Sequence, residues 1–147
     1  MGTSRAKWLA DLKNFNSGGK VMVVKGLLYT KDHEWAKIEG GVAIIGITDH
    51  AQNQLGELTF VELPDVGKEV KQKGELAVVE SSKAASDIYS PVTGKVIEAN
   101  TKLEKNPEIV NDDCYGDGWI CKIQITDKAT TKNLMDAAQY EEYLKGL

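Results

Sequence analysis

From Val23 to Ile125 the chain is a succession of short β-forming runs, each closed within a few residues by glycine or proline. No helical stretch follows strand after strand, which disfavours a parallel α/β sheet. The pattern predicts a mainly β fold, an antiparallel sandwich or barrel. Val23–Tyr29 reads as a first strand. Trp35–Glu39 alternates, Gly40-Gly41 turns, and Val42–Ile47 returns as a hairpin. Thr48 caps a short helix over Asp49–Leu55 that Gly56 ends. Leu58–Leu63 reads as a strand before the Pro64-Asp65 turn. Glu75–Glu80, Asp87–Tyr89, Lys95–Asn100 and Trp119–Ile125 complete the set, with Thr101–Cys114 read as loop. Strand alternation assigns Phe60 and Trp119 to the core. Asp136 with Gln139 forms a capping-box pattern for a closing helix whose Tyr140, Tyr143 and Leu144 share one face. That helix is expected to cover an open end or edge of the β structure.

The N-terminal stretch differs. Its four basic residues, Arg5, Lys7, Lys13 and Lys20, face one acid, Asp11, giving residues 1–21 a charge of +3. With 18 basic and 22 acidic residues in all, residues 22–147 carry −7. Trp8, Leu12 and Phe15 follow helical spacing, Thr3 or Ser4 caps them, and Asn16–Gly19 is a flexible joint. An appended non-native segment, a docking extension and a remnant of a targeting peptide are all compatible with this. Residues 1–21 read as an extension and residues 22–147 as the domain proper. An acidic balance argues against nucleic acid or an anionic membrane as a principal partner. No apolar run approaches the roughly 20 residues of a membrane-spanning helix.

Cys114 and Cys121 match no metal or redox spacing and read as free buried thiols. His33 and His50 are the only histidines and neither neighbours a cysteine in sequence, so no metal site is expected. His33 and Trp35 read as packed, hydrogen-bonded residues, and His50 as a cap or surface residue. The acidic stretch Glu104–Asp113 lacks the alternation of a calcium loop. Gly116-Asp117-Gly118 precedes no helix and is a turn, not a phosphate cradle.

The informative segment is Glu80-Ser81-Ser82-Lys83-Ala84-Ala85-Ser86-Asp87, between two β runs. A lysine at a hairpin tip is ordinarily a solvated turn residue. Here its neighbours are small on both sides, where turns commonly hold Gly, Asn or Asp. Small flanks leave the amine of Lys83 accessible to another protein's active site. That is what a group carrier needs, its lysine joined to a carboxylic cofactor as a neutral amide. Nothing around Lys83 is built to activate it as the chain's own nucleophile, since Glu80 and Asp87 favour the ammonium form. No enzymatic role is expected.

Several stretches, in order, resemble the H-protein family of the glycine cleavage system. They are Y-T-K-D-H-E-W over Tyr29–Trp35, G-I-T-D-H-A-Q-N-Q-L-G over Gly46–Gly56, F-V-E-L-P over Phe60–Pro64 and E-S-S-K-A-A-S-D-I-Y-S-P over Glu80–Pro91. Asp117-Gly118-Trp119 and Leu134–Tyr140 also fit. The resemblance covers residues 22–147. One departure adjoins the lysine: Ser82 stands where the family usually has valine.

The resemblance implies a lipoyl-domain-like barrel-sandwich hybrid. It implies lipoic acid attached covalently to Lys83 by a lipoate-attaching enzyme, with Glu80, Ser81, Ser82, Ala84 and Ala85 presenting the lysine. The implied partners are a pyridoxal-phosphate glycine decarboxylase, a tetrahydrofolate-dependent aminomethyltransferase and dihydrolipoamide dehydrogenase. The arm would carry an aminomethyl group between the first two. Glu34 and Asp87, with Asp32 beside them, are the implied carboxylates of a cleft for the loaded, cationic arm. The alternative for these acids is plain surface carboxylates at strand ends. A bacterial cytoplasm is the expected setting, with a mature mitochondrial form as the alternative. Biotinyl carriers place methionines beside the lysine, and acyltransferase lipoyl domains are shorter and usually have Asp before it. A lipoate relay or H-like partner-binding protein without glycine chemistry is the remaining rival.

Overall fold

The structure, a computed structural model, describes residues 21–147. The N-terminal helix read from Trp8, Leu12 and Phe15 lies outside the described residues.

Among the described residues, nine antiparallel strands form two sheets. The larger runs β1 (Leu28–Tyr29), β2 (Glu34–Glu39), β3 (Val42–Ile47), β9 (Cys121–Asp127), β8 (Thr93–Ala99), β5 (Glu69–Val70). The smaller is β4 (Leu58–Glu62), β6 (Glu75–Ser81), β7 (Ala85–Tyr89). This is the mainly β sandwich expected. The hairpin of β2 and β3 turns at Gly40, whose φ of 61° suits glycine, and pairs Glu39 with Val42. Inward residues of both sheets make one core, including Ile45, Ile47, Val61, Val79, Ile88, Val96 and Ile123. Cys114 and Cys121 are free and buried in it.

Thr48 caps helix α1 (Asp49–Leu55) by accepting from the Ala51 N–H, and Gly56 ends it at φ 79°. Asp136 and Gln139 form the capping box of the last helix, α4 (Ala137–Lys145). A second cluster joins α4 to the start of the domain: Tyr140 stacks on Tyr29 at 4.5 Å between ring centroids, beside Val23, Val24, Leu27 and Trp35. Tyr29 also exchanges backbone hydrogen bonds with Met135. The terminal helix therefore closes the β1 edge of the sheet.

Four expectations need correction. Only Leu28–Tyr29 of the first run is strand, because Gly26, at φ 90°, breaks it. Val23 and Val24 are buried all the same, against Tyr29 and α4. Thr101–Cys114 is not plain loop: it contains two short helices, α2 (Lys102–Lys105) and α3 (Ile109–Asp112), which anchor Leu103 and Val110 in the core. Phe60 is not core, being 47% exposed. A bulge between Leu58 and Phe60 shifts the alternation, so Leu58 and Val61 point inward while Thr59 and Phe60 face out. Trp119 is only half-buried, before the start of β9, with the Lys122 ammonium 5.2 Å from its ring centre.

Candidate functional site

Lys83 sits at the tip of the hairpin that joins β6 and β7, with Ser82, Ala84 and Ala85 exposed around it. The tip is a tight turn in which the Ser81 N–H donates to the Ala84 carbonyl at 2.8 Å. The Ser81 hydroxyl oxygen accepts from the N–H groups of Lys83 (3.3 Å) and Ala84 (3.2 Å). Ser81 thus pins the turn by a local side-chain to backbone motif, which the sequence signals only as a serine before a turn. The Glu80 carboxylate is exposed on the outer face, its backbone paired with Ala85 and Phe60. The Lys83 side chain lies over Gly56, its Cε 3.4 Å from where a Cβ there would stand.

Glu34 is elsewhere, and it is not a surface carboxylate. Only 1% of it is exposed. The Thr30 hydroxyl donates to its Oε1 at 2.6 Å, and the Tyr89 N–H donates to Oε2 at 2.9 Å. Thr30 in turn accepts from the N–H groups of Asp32 and Glu34, so one side chain closes the turn and aims the carboxyl. Burial outweighs these two hydrogen bonds and pushes the Glu34 carboxyl up to about 7.

Glu34 and Asp32 line a cavity of about 360 Å³ with Tyr29, Tyr89, Leu134 and Met135. Gln72 braces its wall by donating to the Pro91 and Thr130 carbonyls and accepting from Asn133. The structure does not bring Asp87 into this lining. Asp87 is exposed on β7 and borders a separate groove with Glu62 and Asp65. It is nonetheless the largest influence raising the Tyr89 phenol above its ordinary value. In the chain Asp87 stands on β7 between Lys83 and Tyr89. At about 3.3 Å per residue, Tyr89 is roughly 20 Å along the chain from Lys83, beyond the reach of an unmodified lysine. Thr30, Gln72 and Tyr89 were not among the expected site residues. The Thr30 to Glu34 spacing is the one local signal for any of them.

Next to the cavity, His33 adopts φ 72° and its Nδ1 lies 2.8 Å from the Tyr140 hydroxyl, which also bonds Thr48. The His33 and His50 rings lie 4.3 Å apart, and burial, then His50, lowers His33 to about 4. Trp35 donates from its indole to the Cys114 carbonyl. These are packing roles. No group of three or more metal-ligating side chains gathers among the described residues. No helix among them is long and apolar enough to cross a membrane.

A barrel-sandwich fold that exposes one lysine on a small-residue hairpin defines a carrier domain. The family model for the glycine cleavage H-protein matches residues 27–147. The glycine cleavage system H protein of Symbiobacterium thermophilum is 53% identical over 119 residues, 81% of this chain and 93% of that protein. That of Halothermothrix orenii is 49% identical over 123 residues, 84% of this chain and 96% of that protein. The crystal structure of a glycine cleavage system H protein from Mycobacterium marinum superposes with a TM-score of 0.77 at 36% identity, covering 85% of this chain and all of that one. The chain belongs to the glycine cleavage H-protein family. Its members are lipoyl-carrier subunits, not catalysts, and this chain is one of these carriers.

Proposed function

We propose that Lys83 is the lipoyl attachment residue and that the Glu34 cavity shelters the loaded end of the arm. In this reading the chain, as the unit 22–147, shuttles an aminomethyl group. The group passes from a glycine decarboxylase to a tetrahydrofolate-dependent aminomethyltransferase, and dihydrolipoamide dehydrogenase resets the carrier. A bacterial-type cytoplasm is the setting in this proposal. The lipoyl group, when bound, supplies the dithiol chemistry that accepts the aminomethyl group. The fit rests on an exposed lysine with small neighbours and on a buried carboxyl in a cavity that Tyr89, on the lysine's own hairpin strand, also lines.

The protein's own residues supply shelter and charge. A carboxyl at about 7 is shared between acid and carboxylate at neutral pH. An arriving ammonium favours the carboxylate, which then accepts a charge-assisted hydrogen bond while Thr30 and Tyr89 hold its two oxygens. Asp32 at the cavity lining and Asp87 on the approach add negative charge along the route. Tyr89, Leu134 and Met135 exclude water and so slow premature loss of the group.

The observation that carries this reading is a carboxyl 1% exposed in the wall of a cavity that Tyr89, at the far end of the lysine's hairpin strand β7, also lines. The test is Glu34→Gln: load the arm with glycine and the decarboxylase, remove the enzyme, and follow release of formaldehyde and ammonia. Faster release is expected, and an unchanged rate removes Glu34 from the role. Glycine–bicarbonate exchange separates the shuttle, which supports it, from a relay, which does not.

A further inference from the structure

Phe60 is a large apolar residue turned outward by a bulge, a device that re-aims side chains. Its surroundings are specific. Across the outer face of the small sheet it stands in a row with Glu80 and Ala85, and the next row holds Glu62, Val78 and Asp87. All of these except Val78 are exposed. Among the described residues, none of the carboxylates Glu62, Glu80 and Asp87 has a salt bridge. The acidic strip continues into a groove of about 200 Å³ lined by Glu62, Asp65, Glu75 and Asp87. The groove's one lysine, Lys68, donates its ammonium hydrogen to the Glu75 carbonyl. An aromatic side chain with unpaired carboxylates beside it across the sheet has the make-up of an interface anchor with a polar rim.

This face is continuous with the lysine. Lys83 lies over Gly56, and β4 begins two residues later at Leu58. Phe60 pairs with Glu80, three residues before Lys83, which puts them roughly 10 Å apart by strand spacing and rise.

We infer that the outer face of β4, β6 and β7, centred on Phe60 and rimmed by Glu62, Glu80 and Asp87, docks the enzyme that acylates Lys83. Its matching surface is basic and has an apolar pocket for the phenyl ring. Reach selects this enzyme over the other partners. An enzyme working on the end of a long arm can stand off from the hairpin. The acylating enzyme meets an amine only four methylenes from the backbone, so its surface must lie against the strands that carry the hairpin. The carboxylates then steer a basic partner toward the tip, and the ring fixes the final pose.

This rests on Lys83 being the attachment residue, and the test separates the two claims. Full-length wild type, Phe60→Ala, Glu62→Lys and Lys83→Arg are incubated with a lipoate ligase, lipoate and ATP. Initial rates of lipoyl mass gain are read at carrier concentrations below KM. Phe60→Ala should slow the rate about ten-fold, the size expected of an interface anchor, yet reach the wild-type end-point mass. Glu62→Lys should slow it about three-fold at low salt, with the difference fading at high salt. Both should still unfold cooperatively, Glu62→Lys at the wild-type midpoint and Phe60→Ala slightly below it, because the ring is 47% exposed. A Phe60→Ala rate equal to wild type, with wild type fully modified, overturns the docking surface and leaves the Lys83 assignment standing. Normal lipoylation of Phe60→Ala with slowed glycine-driven loading overturns it too, assigning the face to the decarboxylase. No mass gain on wild type overturns both claims.

Discussion

Replacing Glu34 by glutamine tests the physics of the cavity without any partner enzyme. The amide oxygen still accepts from the Tyr89 N–H, and the amide nitrogen stands in reach of Thr30, so the packing is kept. What disappears is the titration. In the unfolded chain the carboxyl ionises near 4.5, and in the folded protein near 7. Between those values the native state holds a proton that the unfolded state has released. Wild-type stability contributed by this group is therefore full below pH 4.5 and falls as pH rises to about 7. The difference amounts to about 3 kcal/mol. Urea unfolding of wild type and Glu34→Gln at half-unit steps from pH 4.5 to 8.5 reads it directly. The stability difference should swing by about 3 kcal/mol in favour of the glutamine variant as pH rises, and level off above about pH 8. All other titrating groups are common to both proteins and cancel. A difference that stays flat across this range would refute the claim that burial dominates at Glu34.

Other perturbations probe the supports. Thr30→Val removes the hydroxyl that lowers Glu34, so the carboxyl should titrate higher still by ¹³C NMR and stability should drop by about 1–2 kcal/mol, with Thr30→Ser restoring both. His33 takes up its proton near pH 4 in the native state and near 6.5 when unfolded, so it costs stability as pH falls from 6.5 toward 4. His50→Gln should raise the His33 titration midpoint in a ring-proton NMR titration, since His50 contributes to lowering it. A Cβ on Gly94 would collide with the Gln124 carbonyl oxygen across the β8 and β9 pair, so Gly94→Ala should cost about 3 kcal/mol or more in urea unfolding. Gly41→Ala, facing open space, is the control and should cost little.

What the sequence discloses follows the range of the interaction. The hairpin of β2 and β3, the cap at Thr48 and the capping box at Asp136 are local, and each is legible from adjacent residues. Lys83 is legible for the same reason, since its exposure is set by its immediate neighbours and a turn pinned by Ser81. The cavity is not legible that way. Glu34, Gln72, Tyr89 and Met135 come from four distant stretches, and they meet only where the end of β7 bonds the Glu34 carboxyl beside the Tyr29 to Met135 pairing. Nor does any pattern announce that Glu34 is buried, because a Glu before an alternating strand ordinarily reads as solvated. Phe60 shows the opposite failure: alternation predicts it inside, and one extra residue in the strand turns it out. Asp87 was expected beside Glu34 and instead lies outside the cavity lining, on the outer face of β7 beside a separate groove.

The central claim is that the exposed amine at the tip of the β6–β7 hairpin is where this carrier bears its cofactor. Intact-mass spectrometry of wild type and Lys83→Arg, after exhaustive reaction with a lipoate ligase, tests it most directly. The account predicts one lipoyl addition on wild type and none on the arginine variant, with both proteins folded. Wild type that gains no lipoyl mass, or an arginine variant that still gains it, would contradict the account.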